Sequence, residues 1–147
     1  MPDPSTGPSA RPLVTKLGIG PQMVVGLVNA PEGFAVRLEP LPDGVRLVPD
    51  VRSRRDVAVA FFRHRGGIEQ KLVALLRAIE PDGAVWIAWP KRTAARRLGI
   101  DTDITDDVVR ELALPLGLVD VKVCAIDDVW TALRLVVRRE RRGRSDA

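Results

Sequence analysis

Cysteine and aromatic residues are scarce in this chain of 147 residues. Cys124 is its single cysteine, which excludes an internal disulfide framework and is typical of a reducing compartment such as the cytoplasm. Tyrosine is absent and aromatic residues make up only 4% of the chain, so we expect a core of aliphatic side chains and alanine. Because the lone thiol lies in the apolar run 121–126, we predict that it is buried and unreactive.

Long apolar runs are also missing. The runs at residues 23–28 and 57–62 are far too short to cross a bilayer, and residues 1–11 lack the basic and apolar regions of a signal peptide. We therefore expect a cytoplasmic protein with no membrane partner. Its length predicts one domain, over residues 12–139, between a disordered leader (1–11) and a basic disordered tail (140–147).

Motifs that would indicate a catalytic centre or a metal site are not found. His64 is the only histidine and has no cysteine nearby in the sequence, so we predict no metal site. The chain contains neither a Gly-x-Ser-x-Gly nucleophile motif nor a Gly-x-x-x-x-Gly-Lys phosphate loop. We therefore assign no catalytic residue.

The excess of positive over negative charge is concentrated in two segments. The chain as a whole carries +4, the segment 91–97 holds Lys91, Arg92, Arg96 and Arg97, and the segment 138–144 has a net charge of four from five arginines and Glu140. The remainder is therefore mildly acidic, at about −4. Either basic segment could bind a phosphate, a nucleic-acid backbone or an acidic protein, or could simply be solvated.

Six apolar runs alternate with helical patterns along the chain. We predict strands at residues 23–30, 45–48, 57–62, 84–89, 118–126 and 131–137, and helices at 31–39, 68–79 and 106–114, with Asp103 or Thr105 capping the last. A short helical turn precedes the first strand, and residues 91–101 are predicted to form a long basic loop. This order predicts a single Rossmann-like three-layer α/β domain whose sheet is mostly parallel and ends in an antiparallel hairpin.

Two passages resemble the class I S-adenosylmethionine-dependent methyltransferases: the helix, Pro-Asp-Gly turn and strand of residues 76–88, and the hairpin entry at 109–123. The resemblance implies a cofactor turn after the first strand and a ribose-binding acid after the second, for which Asp50, Asp56 or another turn aspartate is a candidate. The turn departs from the family pattern, because it has the single glycine Gly33 and a proline, Pro31. The chain is also short of one strand–helix unit.

Three further motifs are similar to those of a family of small actinobacterial proteins. They are Asn-Ala-Pro-Glu-Gly-Phe at residues 29–34, Trp-Ile-Ala-Trp-Pro-Lys at 86–91, and Leu-Val-Asp-Val-Lys-Val-Cys-Ala-Ile-Asp at 118–127. This resemblance supports the same fold and implies no activity.

Ligands of open α/β sheets bind at the carboxyl ends of the strands, which places the candidate site there. We expect Asn29, Glu32, His64, Trp89 and Lys91 to line one crevice, with Trp89 as a stacking wall, although each residue also has a purely structural explanation. Trp86 and Trp89 should face opposite sides of the sheet, so that one of them belongs to the core. The full set of candidate ligand-binding residues is Asn29, Glu32, Gly33, Asp50, His64, Trp89 and Lys91, and the candidate anion- or partner-binding residues are Arg92, Arg96 and Arg97.

These observations favour a non-catalytic small-molecule-binding or regulatory domain on a degenerate methyltransferase-like fold. One alternative is an enzyme that uses S-adenosylmethionine or a nucleotide in the same crevice. Another is an electrostatic binder of nucleic acid or an acidic protein through residues 91–97 and the tail. A homo-oligomer remains open as well.

Overall fold

Six strands form one mixed sheet in the computed structural model, which describes residues 12–49 and 54–138. The strands are β1 (Val24–Val28), β2 (Arg46–Val48), β3 (Arg55–Phe61), β4 (Ile79–Pro90), β5 (Leu118–Ala125) and β6 (Trp130–Val137). Their order across the sheet is β2-β1-β3-β4-β6-β5. The first four are parallel, and β6 runs antiparallel to both β4 and β5. The predicted fold class is confirmed.

The direction in which successive strands are added to the sheet changes between β1 and β3, which is a reversal of the strand order. From β1 the chain goes to β2 at the sheet edge, and it then returns to β3 on the other side of β1. Such a reversal leaves a crevice at the carboxyl ends of the two strands, where open α/β sheets hold their ligands. The leader, Asp50 and the rest of 50–53, and the tail from residue 139 onward lie outside the described residues.

Helices cover both faces of the sheet. They are α1 (Leu13–Lys16), α2 (Phe34–Arg37), α3 (Arg65–Ala78), α4 (Arg92–Leu98) and α5 (Asp106–Ala113), with a 3₁₀ turn at Leu114–Leu116. On one face α3 and α5 contribute Ile68, Leu72, Leu75 and Val109 to a core that includes Ile87 of β4. On the other face α1 and α2 pack Leu17 and Phe34 against Val59 and Trp86.

The two tryptophans of β4 lie in different cores, as their spacing predicts. Trp86 is completely buried on the α1 side, where its indole N–H donates to the carbonyl of Leu17 at 2.9 Å. Trp89 belongs to the core on the α3 side and is 6% exposed. Trp89 is therefore the tryptophan that can contribute to a site at the carboxyl end of β4.

Three predicted boundaries are wrong. Residues 92–98 of the predicted basic loop form α4, which buries Ala94 and Ala95 and ends at Gly99 in a left-handed conformation. The helix predicted over 31–39 is reduced to α2, because Gly33 at φ 83° turns the chain immediately before it. Strand β4 starts at Ile79 rather than at 84, and residues 80–83 form an irregular stretch of that strand instead of a separate turn.

The opposite, amino-terminal edge of the sheet is held by charged side chains. The Asp56 carboxylate accepts a hydrogen bond from the backbone N–H of Val24 at 2.9 Å, at the start of β1. The side chain of Arg55 is buried and lies over Gly26, which has no Cβ to obstruct it.

No helix within residues 12–49 and 54–138 combines the length and the apolar character needed to span a membrane.

Candidate functional site

Two pockets open at the carboxyl end of the sheet. The larger, about 720 Å³, lies beyond the end of β4 and is called the Trp89 pocket here. The smaller, about 370 Å³, lies between the ends of β1 and β3 and is called the Asn29 pocket. Ligand-binding clefts in proteins measure about 300–1,000 Å³, so both are of ligand size.

Three parts of the chain build the Trp89 pocket. Trp89, Val123 and Thr131 lie near the ends of strands and form one part of the lining. The amino-terminal half of helix α4 forms a second part, and the connection from α4 to α5 forms the wall opposite the helix. The pairing of Trp89 with Thr131 in the β4–β6 ladder puts these two side chains next to each other. The complete lining consists of Trp89, Pro90, Lys91, Arg92, Ala95, Arg96, Ile100, Asp101, Thr102, Asp103, Ile104, Thr105, Asp106, Val123 and Thr131.

The acidic wall of the Trp89 pocket is already engaged in contacts with the protein. Asp101 lies 3.0 Å from the Nε2 of His64, and Asp103 accepts the backbone N–H of Arg65 at 2.7 Å. Asp106 lies 3.3 Å from the guanidinium of Arg110. All three carboxylates therefore have donors on their own chain.

The basic residues of the pocket lining, unlike the acidic ones, have no ion-pair partner among the described residues. Lys91, Arg92 and Arg96 line the pocket, and none of them forms an ion pair with another described residue. Arg97, the next residue along α4, is exposed and does not line the pocket. Three cations without a counter-ion in the described part of the chain thus face three carboxylates that have partners.

The Asn29 pocket occupies the point at which the strand order reverses. Asn29 follows β1 with φ 57°, in the left-handed region, and its amide donates to the carbonyl of Phe61 at 3.1 Å. This bond joins the ends of β1 and β3. The other polar groups in the lining are Arg63 and His64, and the apolar part comes from Pro31, Phe61, Phe62 and Trp130.

A short wall separates the two pockets. His64 precedes α3 and lines the Asn29 pocket, while its partner Asp101 lines the Trp89 pocket. The bond from the N–H of Arg65 to Asp103 holds the same loop against the start of α3. Both pockets therefore share the contacts between residues 101–103 and the start of α3.

Aromatic side chains fill the space on the α2 side of the Asn29 pocket. Phe61 makes edge-on contacts with Phe34 and Trp130, with ring centroids 4.9 and 5.1 Å apart. Arg37 of α2 binds Asp127 at 2.6 Å in the turn between β5 and β6, which closes α2 onto that turn. Glu32 is exposed and lines only a small cavity of about 60 Å³ beside these groups.

The residues predicted to line one crevice are distributed over two pockets, between which residues 101–103 contact His64 and Arg65. Asn29 and His64 line the smaller pocket, Trp89 and Lys91 line the larger, and Glu32 lines neither. Gly33 precedes α2 and lines neither of these two pockets, and Asp50 falls in the undescribed segment. Asp56, the alternative ribose-binding acid, lies at the opposite edge of the sheet.

Several lining residues were missed by sequence reasoning. Val123 and Thr131 reach the pocket through strand pairing, which the sequence does not specify residue by residue. The segment 101–106, Asp-Thr-Asp-Ile-Thr-Asp, did carry a signal: polar groups that can accept hydrogen bonds, directly before a helix. Thr105 acts as the predicted cap of α5, accepting the N–H of Val108 at 3.2 Å.

The remaining chemical candidates have structural roles or lie outside the pockets. Cys124 is buried as predicted, and burial raises the pKa of its thiol, with Lys16 and Lys122 opposing the rise. No group of three or more potential metal ligands occurs within the described ranges. Strand β6 carries the chain away from the carboxyl edge, so Arg138 and the basic α4 lie at opposite ends of the sheet.

Comparison with known proteins supports the fold assignment. Neither a family model nor a curated protein matches the chain. Solved structures do match, among them the N-methyltransferase NodS of Bradyrhizobium japonicum WM9, which is 11% identical over 92% of this chain and 99% of that one, with a TM-score of 0.54. The O-methyltransferase NcsB1 of neocarzinostatin biosynthesis, solved with S-adenosylmethionine, is 15% identical over 78% of this chain and 48% of that one, with a TM-score of 0.56.

A third similar structure is the 1,6-didemethyltoxoflavin-N1-methyltransferase of Burkholderia thailandensis, solved with S-adenosylhomocysteine. It is 16% identical over 86% of this chain and 75% of that one, with a TM-score of 0.52. At these identities the likeness concerns the path of the backbone and not the site. The chain therefore has the Rossmann-like fold of the S-adenosylmethionine-dependent methyltransferases.

Proposed function

We propose that this protein is a small-molecule-binding domain built on a methyltransferase-like fold, and that its ligand binds in the Trp89 pocket. The observation that carries the proposal is the pocket itself. It has the volume of a ligand site, it lies at the carboxyl edge of the sheet, and it combines an apolar floor with charged walls.

Binding without chemistry is proposed because the sequence carries none of the catalytic motifs considered above. Asp101, Asp103 and Asp106 each accept a hydrogen bond or ion pair from the chain, which holds the acidic wall of the pocket in place. Trp89 is mostly buried and serves as part of the floor. In this proposal the domain recognises its ligand and signals or delivers it, and does not transform it.

Four aromatic probes of different charge would test the proposal: phenylacetate, phenyl phosphate, benzamide and phenethylamine. The amide resonances of Ala95, Ile104 and Thr131, recorded by two-dimensional NMR, should shift on titration with at least one probe. Val123→Trp should weaken those shifts by narrowing the pocket. Val121→Trp is the matched control, because Val121 is equally exposed on the same strand but does not line the pocket.

The proposal fails if no probe at millimolar concentration shifts these resonances. It also fails if Val123→Trp binds every probe as well as Val121→Trp does. Both variants change side chains that are about half exposed, so we expect both to fold.

A cofactor in the Asn29 pocket is the second candidate, favoured by its position where the strand order reverses. The described residues fit S-adenosylmethionine poorly. That molecule carries two cationic groups, a sulfonium and an ammonium, and a single carboxylate, whereas the lining holds Arg63 and His64 and no carboxylate among its described residues. Asn29 also uses its side-chain amide in a hydrogen bond that joins the two strand ends, and Pro31 has no N–H to donate.

An anionic nucleotide fits this lining better than S-adenosylmethionine does. Thermal unfolding with and without millimolar ATP, S-adenosylmethionine and S-adenosylhomocysteine compares the two. If this candidate holds, ATP raises the Tm and Arg63→Gln removes the increase, whereas Arg77→Gln, on the far end of α3, does not. Stabilisation by S-adenosylmethionine instead would restore the enzyme interpretation, and no stabilisation by any of the three would exclude this pocket as a cofactor site.

The electrostatic alternative requires a ligand long enough to reach both ends of the sheet. A nucleic acid bound by both α4 and Arg138 would have to span the sheet, because β6 runs away from α4 for eight residues, or about 24 Å. Binding through the tail alone remains a proposal. Salt-sensitive binding to double-stranded DNA that is lost on deletion of residues 139–147 would support it, and binding unchanged by the deletion would not.

A further inference from the structure

The acidic and the basic side chains around the Trp89 pocket differ in whether they have partners within the protein, and this difference bears on the charge of the ligand. Each carboxylate of the lining has a donor from the protein: Asp101 has His64, Asp103 the N–H of Arg65, and Asp106 the guanidinium of Arg110. The three cations of the lining have no such partner among the residues that the structure describes. Among the charged groups of the lining, the three cations are therefore the ones without a partner in the described part of the chain.

The cations come from one short stretch of chain. Lys91 caps α4, Arg92 begins it, and Arg96 follows one turn later on the same side of the helix. The alanines Ala94 and Ala95 anchor the helix by their burial, and Ala95 belongs to the lining. The helix thus fixes the backbone that carries the cations and leaves their long side chains free to close on a ligand.

Hydroxyl groups on the opposite wall are arranged to donate. The Oγ1 of Thr102 accepts the backbone N–H of Ile104 at 3.3 Å, and the Oγ1 of Thr105 accepts that of Val108 at 3.2 Å. A hydroxyl that accepts from the backbone keeps its own hydrogen for another acceptor. An anion lying between the two walls would bind the cations of one wall and receive hydrogen bonds from these hydroxyls of the other, where the neighbouring carboxylates already accept from the protein.

The rest of the pocket is apolar. Trp89, Ile100, Ile104 and Val123 line it, and Val123 is 56% exposed although it is an aliphatic residue on a strand. Covering such a side chain with an apolar ligand removes it from water and contributes favourably to binding. A small inorganic anion would leave this surface uncovered.

We infer that the Trp89 pocket takes an organic anion, in which a carboxylate or phosphate binds Lys91, Arg92 and Arg96 and an apolar body covers Val123 and the edge of Trp89. This inference rests on the proposed function, since it assigns a ligand class to the same pocket. We expect a cation to bind less well than an anion, because each carboxylate of the lining already accepts a hydrogen bond or ion pair from the protein, whereas the three cations have no such partner within the described ranges.

Affinities of the four probes, measured by NMR titration, test the inference. Phenylacetate and phenyl phosphate should bind more tightly than neutral benzamide by about tenfold, the effect of one charge-assisted contact, and phenethylamine should bind least tightly. Comparison of the two anions shows whether carboxylate or phosphate is the preferred group. Raising the salt concentration to about 0.5 M should weaken the anions and leave benzamide unchanged.

Two neighbouring arginines provide the matched variants. Arg96→Glu should reduce the affinity for both anions by about tenfold or more, whereas Arg97→Glu makes the same charge change on the same helix outside the pocket and should have little effect. Equal effects of the two variants, or binding of phenethylamine as tight as that of the anions, would overturn the inference.

The outcomes separate this inference from the proposed function. If benzamide binds as tightly as the anions and Val123→Trp still abolishes its binding, the pocket is a ligand site without preference for anions, and only the inference fails. If no probe binds, both fail.

Discussion

Arg37 and Asp127 are 90 residues apart in the chain and meet in an ion pair of 2.6 Å that joins α2 to the turn between β5 and β6. Asp127 also accepts the backbone N–H groups of Val129 and Trp130 at 2.8 and 2.7 Å. Burial of Asp127 would raise its pKa, but these N–H groups and Arg37 outweigh that effect and lower the pKa. One carboxylate therefore shapes the turn and fastens a helix to it.

Replacing this carboxylate should destabilise the fold. We expect Asp127→Ala to lower the free energy of unfolding by about 2 kcal/mol, because two backbone N–H groups and a guanidinium lose their acceptor. Asp128→Ala is the matched control, since Asp128 is exposed and should change stability by less than about 0.5 kcal/mol. Urea unfolding followed by tryptophan fluorescence measures both, and equal losses would contradict the role of Asp127.

The same carboxylate should contribute to stability in a pH-dependent way. Because the folded-state pKa lies below the ordinary value of 3.8, the stabilisation is complete above that value and is lost as the pH falls through the folded-state pKa. Asp127→Ala should therefore lose less stability than the native chain between about pH 4 and pH 2. Identical acid unfolding curves for the two proteins would contradict this expectation.

The stability of the fold should depend on Asn29 in two ways, through its side-chain hydrogen bond and through its left-handed backbone conformation. Asn29→Ala should lower stability by about 2 kcal/mol, because it loses the hydrogen bond to Phe61 and places alanine at φ 57°. Asn29→Gly loses only the bond and should cost about half as much, since glycine tolerates that conformation. Thermal unfolding that ranks glycine below alanine would contradict the assignment.

Arg55, which is buried at the other edge of the sheet, leaves no room for a side chain at residue 26. A Cβ at residue 26 would collide with the guanidinium of Arg55, so Gly26→Ala should lower the free energy of unfolding by about 2 kcal/mol. At Gly20 the nearest atom to an added Cβ is the Cε of Met23 at 3.8 Å, an ordinary contact. Gly20→Ala should be close to neutral, and similar losses in the two variants would contradict this explanation.

The lone thiol should react slowly. Burial raises the pKa of Cys124 and keeps the thiol protonated, so its reaction with an aromatic disulfide reagent should be slow in the native protein and fast in urea. Because the folded-state pKa is raised, the corresponding stability is present below the ordinary pKa of 9.0 and is lost as the pH rises through the folded-state value. Equal reaction rates in the native and unfolded states would show that the thiol is accessible.

The positions of the strands along the chain and the division of side chains between two cores were predictable because their signals are local and periodic. The apolar spacing of Ile68, Leu72 and Leu75 places one face of α3 on the sheet, and the odd spacing of Trp86 and Trp89 sends their side chains to opposite sides. Helix α4 was missed because its buried face consists of two alanines, a weak signal beside its three arginines and the preceding Lys91. Its helix-forming composition and Gly99 did indicate a helix.

The division of the site was not predictable in the same way. Asn29 and Trp89 both follow strands at the carboxyl edge, and sequence alone places them near one another. They belong to separate pockets because residues 101–103 bind His64 and Arg65 and so form a wall between them. That wall depends on contacts between residues 37 and 38 positions apart, which no local pattern encodes.

The direction of β6 has a practical consequence for studying the protein on a surface. Since the strand leaves the pockets behind and ends at the far edge of the sheet, attachment through residues beyond Arg138 would turn the carboxyl edge toward the solution. A biosensor chip loaded in that orientation presents both pockets to an injected compound. Attachment through the amine of Lys91, just before α4, would cover the larger pocket instead.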